Sequence, residues 1–358
     1  MKTYNIAVIP GDGIGNEIIP EGIRALDAVA AQEGFKLTYS YFPWSATYYK
    51  ETGAFMPEDG LDQLKAFDAI YFGAIGRPDV DDRLPAIRYT FRVRKHFQQY
   101  VNYRPVRLVP GVPGPLRNKT PEDVDFIILR ENTEGEFSEI GNFVNPEQDS
   151  GFALQTSVFT RKGIERFAHY AFQLAQKRRS HLTNVTKSNT LIHSMVYWDQ
   201  LFEAVSKSYP AVTYEKMYVD NAAASFILKP ERFDVIATTN MIGDILSDLG
   251  GALMGSLGLG PSGNINPEKD YPSMFEPIHG SAPDIAGQGI ANPISAIWSA
   301  ALLLEHLGEA TAAQKLESSI YAVIAAGNFT ADLGGTARTT EIGDAIVRNL
   351  SPAHHVAE

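Results

Sequence analysis

No cysteine occurs anywhere in the 358 residues. That absence excludes disulfides, thiolate zinc sites, iron–sulfur clusters and a thiol nucleophile. Long apolar runs are missing too. The greasiest stretch, 294–304, contains two serines and stops at Glu305, short of the roughly 20 apolar residues that a membrane-spanning helix needs. The apolar run at 6–9 is too brief for the core of a secretion signal. A cytoplasmic protein without a membrane partner is the expectation. Positive charge is scarce: 31 Lys and Arg stand against 42 Asp and Glu, for a net charge of −11. A phosphate backbone rewards clustered cations, so general nucleic-acid affinity is not expected.

What is present is ordinary for a globular enzyme, with 44% hydrophobic and 20% charged residues. The length exceeds one typical domain, yet no Ser/Gly linker or internal repeat divides it. Strand and helix patterns alternate instead. NIAVIP at 5–10 reads as a buried strand, followed by a glycine turn and a helix with Ile14, Ile18, Ile19, Ile23 and Leu26 at helical spacing. Residues 69–73, 125–129 and 234–238 read as further buried strands, and 211–219 as a half-exposed one. Helical patterns recur at 163–177, 191–206 and 293–307, the last with Asn292 as cap and Pro293 at the first helical position. The chain is α/β.

The turn GDGIG at 11–15 joins a strand to a helix, but the dinucleotide fingerprint needs glycine where Asn16 stands. It reads as a tight turn. Asn240 to Asp248, NMIGDILSD, is sharper. Asp244 and Asp248 are four apart, so a helix sets both carboxylates on one face. No Lys or Arg accompanies them, and Ile242, Ile245, Leu246 and Leu249 point to burial. Two readings stand on spacing alone: an exposed acidic face, or an oxygen-only site for Mg²⁺ or Mn²⁺. Arg88, Arg92, Arg94, Lys95, Arg104 and Arg107 form a basic stretch in an acidic chain. A solvated helix face is one reading. Because the planar guanidinium suits bidentate carboxylate binding, a dianionic small molecule fits better than nucleic acid. Arg130 closes the DFIILR strand, at the end where α/β sites are built. Residues 276–284, EPIHGSAPD, read as an irregular binding loop, since its His, Ser and Asp lie too close in sequence to form a triad.

Together these segments resemble the β-decarboxylating dehydrogenases, the isocitrate, isopropylmalate, tartrate and D-malate dehydrogenase family. The motifs that carry the resemblance are NIAVIPGDGIGNE at the start, RENTEGE at 130–136, TKSN at 186–189, NMIGDILSD at 240–248, EPIHGSAPDIAG at 276–287 and NFTADLGG at 328–335. GAIGRP, QYVNYRPVRL and VFTRKGIERF look most like the tartrate and D-malate branch. The resemblance implies an isopropylmalate dehydrogenase-like two-domain α/β fold rather than a Rossmann fold. It places a cofactor domain at 1–100 plus 255–358, and a substrate, metal and dimerisation domain at 101–254. It further implies that Arg94, Arg104 and Arg130 hold substrate carboxylates, that Lys187 is the general base, and that Asp220, Asp244 and Asp248 surround Mg²⁺ or Mn²⁺. Lys187 and Asp220 would come from the second subunit of a homodimer. NAD would be held by Glu276, His279, Gly280, Ser281, Ala282, Asp284 and Asn292, with Asp284 favouring NAD because a carboxylate there repels a 2′-phosphate. The implied substrate is a small 2-hydroxy dicarboxylic acid.

The chain departs from the family pattern at two places. Phe137 stands where the family carries a catalytic tyrosine, and phenylalanine has no hydroxyl to donate. The segment after Asp220, NAAAS at 221–225, is small, which either widens a cleft or is a packing change. Thr90 and Phe91 occupy the family's specificity region.

Overall fold

The first apolar run forms the strand Thr3–Gly11 (β1), with Ile6, Ala7, Val8 and Ile9 fully buried. In the computed structural model, which describes residues 1–350, it lies in a ten-stranded sheet; positions 351–358 of the expected cofactor domain lie outside the described residues. The other strands are Lys36–Tyr41 (β2), Ala69–Ala74 (β3), Val101–Arg107 (β4), Asp125–Glu131 (β5), Gly135–Val144 (β6), Phe152–Val158 (β7), His181–Thr186 (β8), Thr213–Tyr218 (β9), Val235–Thr238 (β10), Pro261–Ile265 (β11) and Ser273–Pro277 (β12). The sheet order is β2-β1-β3-β12-β11-β4-β5-β10-β8-β9, while β6 and β7 form a separate antiparallel hairpin. The outer pairs are parallel, and the centre, β12-β11-β4-β5, is antiparallel. Every strand on the β2 side of the β11–β4 junction comes from residues 3–74 or 261–277; every strand on the β9 side comes from 101–238.

Helices cover both faces, as parallel pairs with crossovers require. Gly15–Glu33, Ile294–Leu307, Ala310–Ala325 and Thr339–Leu350 pack together on one half. Arg161–Gln176, Ser194–Ser206 and Asn240–Leu253 pack on the other. Among the described residues no helix is long and apolar enough to cross a membrane.

The expected strands and helices are all present, with shifted ends. Thr160 caps the helix at 161 by accepting from the Gly163 N–H at 3.0 Å. The pattern at 191–206 becomes helical only at Ser194, because the Lys187 carbonyl accepts from the N–H groups of Thr190 and Leu191 in a preceding turn. Asn292 accepts from the Ile294 N–H at 3.0 Å, as a cap does, although the regular helix begins at Ile294. One expectation is corrected: Glu276 is not in a loop but on β12, paired across to Ser262 of β11.

Candidate active site

Strand register decides which side chains meet. Asn102 faces Arg130 across the β4–β5 ladder and Arg104 faces Ile128. Residues two apart share a face, so Arg104 and Arg130 project from the same side of the sheet. The helix Asn240–Leu253 crosses that side. Gly243 permits the crossing, because a Cβ there would lie 2.6 Å from the Arg130 Cβ. The approach places Asn240 Oδ1 2.7 Å from Arg130 Nε and lets Asp244 Oδ1 accept from Arg130 Nη1. Arg104 Nη1 lies 3.8 Å from Asp244 and 3.9 Å from Asp248, and it donates to Ser247 Oγ. Arg94, on the helix Phe91–His96, donates to Glu276 Oε1 at 2.8 Å. A π-helical turn at Ala86–Thr90 precedes that helix, an irregularity often found at functional sites.

All three arginines are buried, at 6, 6 and 3% exposure for Arg94, Arg104 and Arg130. Arg94 Nε and Arg104 Nε have no partner. Burial of several like charges is costly unless an anion accompanies them. Burial pushes the Arg130 guanidinium's pKa down, with Asp244 opposing and Arg104 and Arg94 adding to the fall. Arg104 is lowered by burial as well. The basic stretch therefore divides. Arg94 and Arg104 enter the site; Arg88 and Arg92 are exposed; Lys95 pairs with Glu139; Arg107 pairs with Asp125 and Glu317 on the opposite side of the sheet.

Asp244 and Asp248 share a helix face, with side chains 49 and 65% exposed. Partial burial and the Asp244 charge raise the Asp248 pKa, while Arg104 and Arg130 oppose them. Two accessible carboxylates with no nitrogen or sulfur donor suit Mg²⁺ or Mn²⁺. Asp220 does not join them. Lys187, just beyond β8, donates to Asp220 at the start of the helix Val219–Leu228, and that bond holds the Asp220 pKa down. Neither residue touches the arginine cluster, and no group of three His, Cys, Asp or Glu that could hold a metal occurs among the described residues. The expected site residues thus fall into two separate groups: the arginines with Asp244 and Asp248, and Lys187 with Asp220.

The segment 278–284 leaves β12 and lies against the GDGIG turn. Ile14 N–H donates to the Ser281 carbonyl at 2.9 Å, and a Cβ on Gly13, whose φ is +57°, would lie 2.0 Å from that oxygen. Asp12 secures the turn, accepting from the N–H groups of Ala46 at 2.6 Å, Thr47 at 3.1 Å and Gly76 at 3.2 Å. Glu17 accepts from Gly289 N–H at 2.8 Å and from Gly287. His279 Nδ1 lies 2.9 Å from the Gly280 carbonyl, and its Nε2 is buried without a partner. Burial lowers its pKa, so the ring is neutral near pH 7. Gly280 and Asp284 are exposed, Ala282 is partly buried with φ +40°, and Asn292 donates to Asp332 at 3.0 Å. Glu276 is different: it is buried and bonded to Arg94 and to Asn264 Nδ2 at 2.7 Å.

Phe137 stacks on Phe91, with ring centroids 5.3 Å apart, and the Arg130 guanidinium carbon lies 5.6 Å from its centroid. Sequence reasoning passed over Asn240 and Ser247, which hold Arg130 and Arg104. Their signal was helical spacing with Asp244 and Asp248. It also missed Asn264, which accepts from Asn102 and Asn132 at 3.0 and 2.8 Å; nothing local in the sequence marks it.

Residues 5–346 match the family model described as isocitrate/isopropylmalate dehydrogenase. The chain is 50% identical over 356 residues to "D-malate dehydrogenase [decarboxylating]" of Escherichia coli (strain K12), covering 97% of this chain and 99% of that one. It is 49% identical to "Tartrate dehydrogenase/decarboxylase" of Pseudomonas putida, covering 98% of each. An isocitrate dehydrogenase from Methylococcus capsulatus superposes with a TM-score of 0.88 at 33% identity, over 97% of this chain and 99% of that one. On fold and sequence alike, the chain belongs to the isocitrate/isopropylmalate dehydrogenase family.

Proposed function

We propose that the chain is a metal-dependent, NAD-linked dehydrogenase of a small 2-hydroxy dicarboxylic acid, D-malate or tartrate, acting as a cytoplasmic homodimer. The observation that carries this reading is the burial of Arg94, Arg104 and Arg130 around Asp244 and Asp248, with two guanidinium nitrogens unpaired. Three buried cations suit a dianion, and two accessible carboxylates beside them suit a divalent ion. The names of the relatives agree with a decarboxylating oxidation.

In this reading Arg94, Arg104 and Arg130 hold the substrate carboxylates and fix its orientation. Asp244 and Asp248 from one subunit and Asp220 from the other would hold Mg²⁺ or Mn²⁺. Bound there, the ion lowers the pKa of the substrate hydroxyl and steadies the negative charge that develops. Lys187 takes the hydroxyl proton. To act as a base it must present a neutral amine to that hydroxyl. The separation of Lys187 and Asp220 from the arginine group within one subunit supports a site shared between two. NAD, the hydride acceptor, lies along 279–284 with Asn292, and Asp284 is exposed and able to accept from a ribose hydroxyl. Glu276 orients Arg94. The two sheet halves meeting at β11 and β4 act as two domains.

A second reading within the same class is a bulkier 3-substituted malate, favoured by the apolar Phe91–Phe137 pair beside Arg130. A panel of 2-hydroxy diacids with NAD and Mn²⁺ or Mg²⁺ separates the readings. NADH should form with D-malate or tartrate, and EDTA should abolish it. Silence of the folded protein across the panel would point to a ligand-binding subunit without turnover.

A further inference from the structure

The motif at 130–136 lends Arg130 to the site and leaves its three glutamates unexplained. Each of them serves a turn of backbone. Glu131 accepts from the N–H groups of Thr133 and Glu134 in its own turn. Glu134 accepts from Thr160 N–H at 2.8 Å and its hydroxyl at 2.6 Å, where the helix Arg161–Gln176 begins. Glu136 reaches the start of the helix Asn240–Leu253: Oε1 accepts from the Thr239 hydroxyl at 2.8 Å and Oε2 from Met241 N–H at 3.2 Å.

That end of the helix has no cap of its own. Thr239 stands at the capping position in extended backbone, but its hydroxyl is turned to Glu136 and accepts nothing from the first turn. Met241 N–H, among the leading N–H groups that lack a partner within any helix, is served by Glu136 instead. Glu136 is 9% exposed, and among the described residues no cation pairs with it. Such a carboxylate is costly to bury; the partial positive charge of the helix N-terminus offsets part of that cost. The same first turns carry Asn240 and Asp244, which hold Arg130.

The neighbour of Glu136 gives the contact its consequence. Phe137 lies beside Arg130, yet the pairing of β6 with β7 is interrupted between Gly135 and Ile140, with Glu139 at φ +64°. Side chains fix this stretch where the ladder does not. Gln155 donates to the Glu136 carbonyl at 3.1 Å and Lys95 to the Phe137 carbonyl at 3.3 Å, while the Glu136 carboxylate anchors it to the helix. Helix, Arg130, Phe137 and Glu136 thus close a ring of contacts.

We propose that Glu136 is a positioning residue for the reaction put forward above. It fixes the first turn of the helix Asn240–Leu253 against the Phe137 segment, and so holds Asp244 and Arg130 in the geometry that the substrate meets. Its effect on turnover rests on that reading of the function; the contact itself does not.

Amide hydrogen exchange of the full-length protein, with steady-state kinetics on D-malate, NAD and Mn²⁺, tests this. Glu136→Ala should speed exchange over 241–244 at least about tenfold and raise the KM for D-malate about tenfold, the weight of one charge-assisted hydrogen bond, with kcat changed less. Glu136→Gln should restore both to within about threefold of wild type, because its oxygen still accepts from Met241 N–H while its NH₂ donates to the Thr239 hydroxyl oxygen. Glu136→Asp, one methylene too short to reach both groups, should follow the alanine variant and replaces it if that variant does not fold. Glu134→Ala is the control for a merely structural contact: exchange should quicken at the start of the helix Arg161–Gln176, with KM unchanged. Unchanged exchange over 241–244 in the alanine and aspartate variants would overturn the proposal. So would an unchanged KM beside faster exchange, or an equal rise in KM for Glu134→Ala. A wild type silent with D-malate would instead count against the functional reading, and exchange would still decide whether Glu136 holds the helix.

Discussion

Asp244 accepts from Arg130 and lies 3.8 Å from Arg104, so its charge is held in place whether or not a metal is near. Asp244→Asn keeps the shape and removes the charge. It should lower metal-dependent turnover by at least about a hundredfold, the scale of losing one charge-stabilising group, while NAD binding followed by fluorescence stays largely intact. Phe137 poses the opposite question, a group that is absent. Its ring lies against Phe91 and the Arg130 guanidinium. If protonation after loss of CO₂ is limited by the missing phenol, Phe137→Tyr should raise CO₂ released per NADH; an unchanged ratio would mean that another donor already serves. The residue chemistry was legible where it lay in one motif. Asp244 and Asp248 were visible as a pair from spacing alone. Their relation to Arg130 was not, because register across β5 and a helix packed over it created that contact.

At the scale of elements, the helix Asn240–Leu253 reaches Arg130 only because residue 243 has no side chain. Gly243→Ala should cost about 1–3 kcal/mol, the range for overpacking a tight contact, read by denaturant unfolding. It should also raise the substrate KM, since the displaced atom is Arg130's own Cβ. The turn after β5 makes a pH-dependent prediction. Glu131 accepts from Thr133 N–H, Thr133 hydroxyl and Glu134 N–H, yet burial raises its pKa from 4.5 to about 7. A folded-state pKa above the unfolded one means that the folded protein holds the proton more tightly between these values. Its stabilising effect is complete below about pH 4.5 and is lost as pH rises through about 7. Measured by urea unfolding from pH 5 to 8, wild type should lose stability relative to Glu131→Gln, by no more than about 3 kcal/mol. A flat difference would contradict this. The buried strands were readable because both of their faces are covered. The hairpin β6–β7 was not, because β7 is exposed along its whole length and carries no buried alternation to detect.

That hairpin matters for the molecule as a whole. Ile140, Phe143, Phe152 and Leu154 are 53 to 69% exposed, more apolar surface than a monomer usually leaves to water. In the proposed homodimer this hairpin would be the surface that the second subunit covers. Phe143→Asp with Leu154→Lys should yield a folded monomer by light scattering, with turnover lost. Lys187→Met mixed with Asp244→Asn should regain about a quarter of wild-type activity, because half of randomly paired dimers carry one intact site of two; no recovery would place Lys187 and Asp244 in the same subunit's site. The α/β class was legible from the alternation of patterns and the family from its motifs, whereas the strand order, which no local pattern encodes, was not. The most direct measurement follows NADH and CO₂ together from D-malate and NAD, for wild type and Asp244→Asn, with Mn²⁺ and with EDTA. Wild type with Mn²⁺ should form NADH, and both EDTA and Asp244→Asn should abolish it. NADH formed at an undiminished rate in EDTA or by Asp244→Asn would contradict a metal-dependent dehydrogenase built on Asp244.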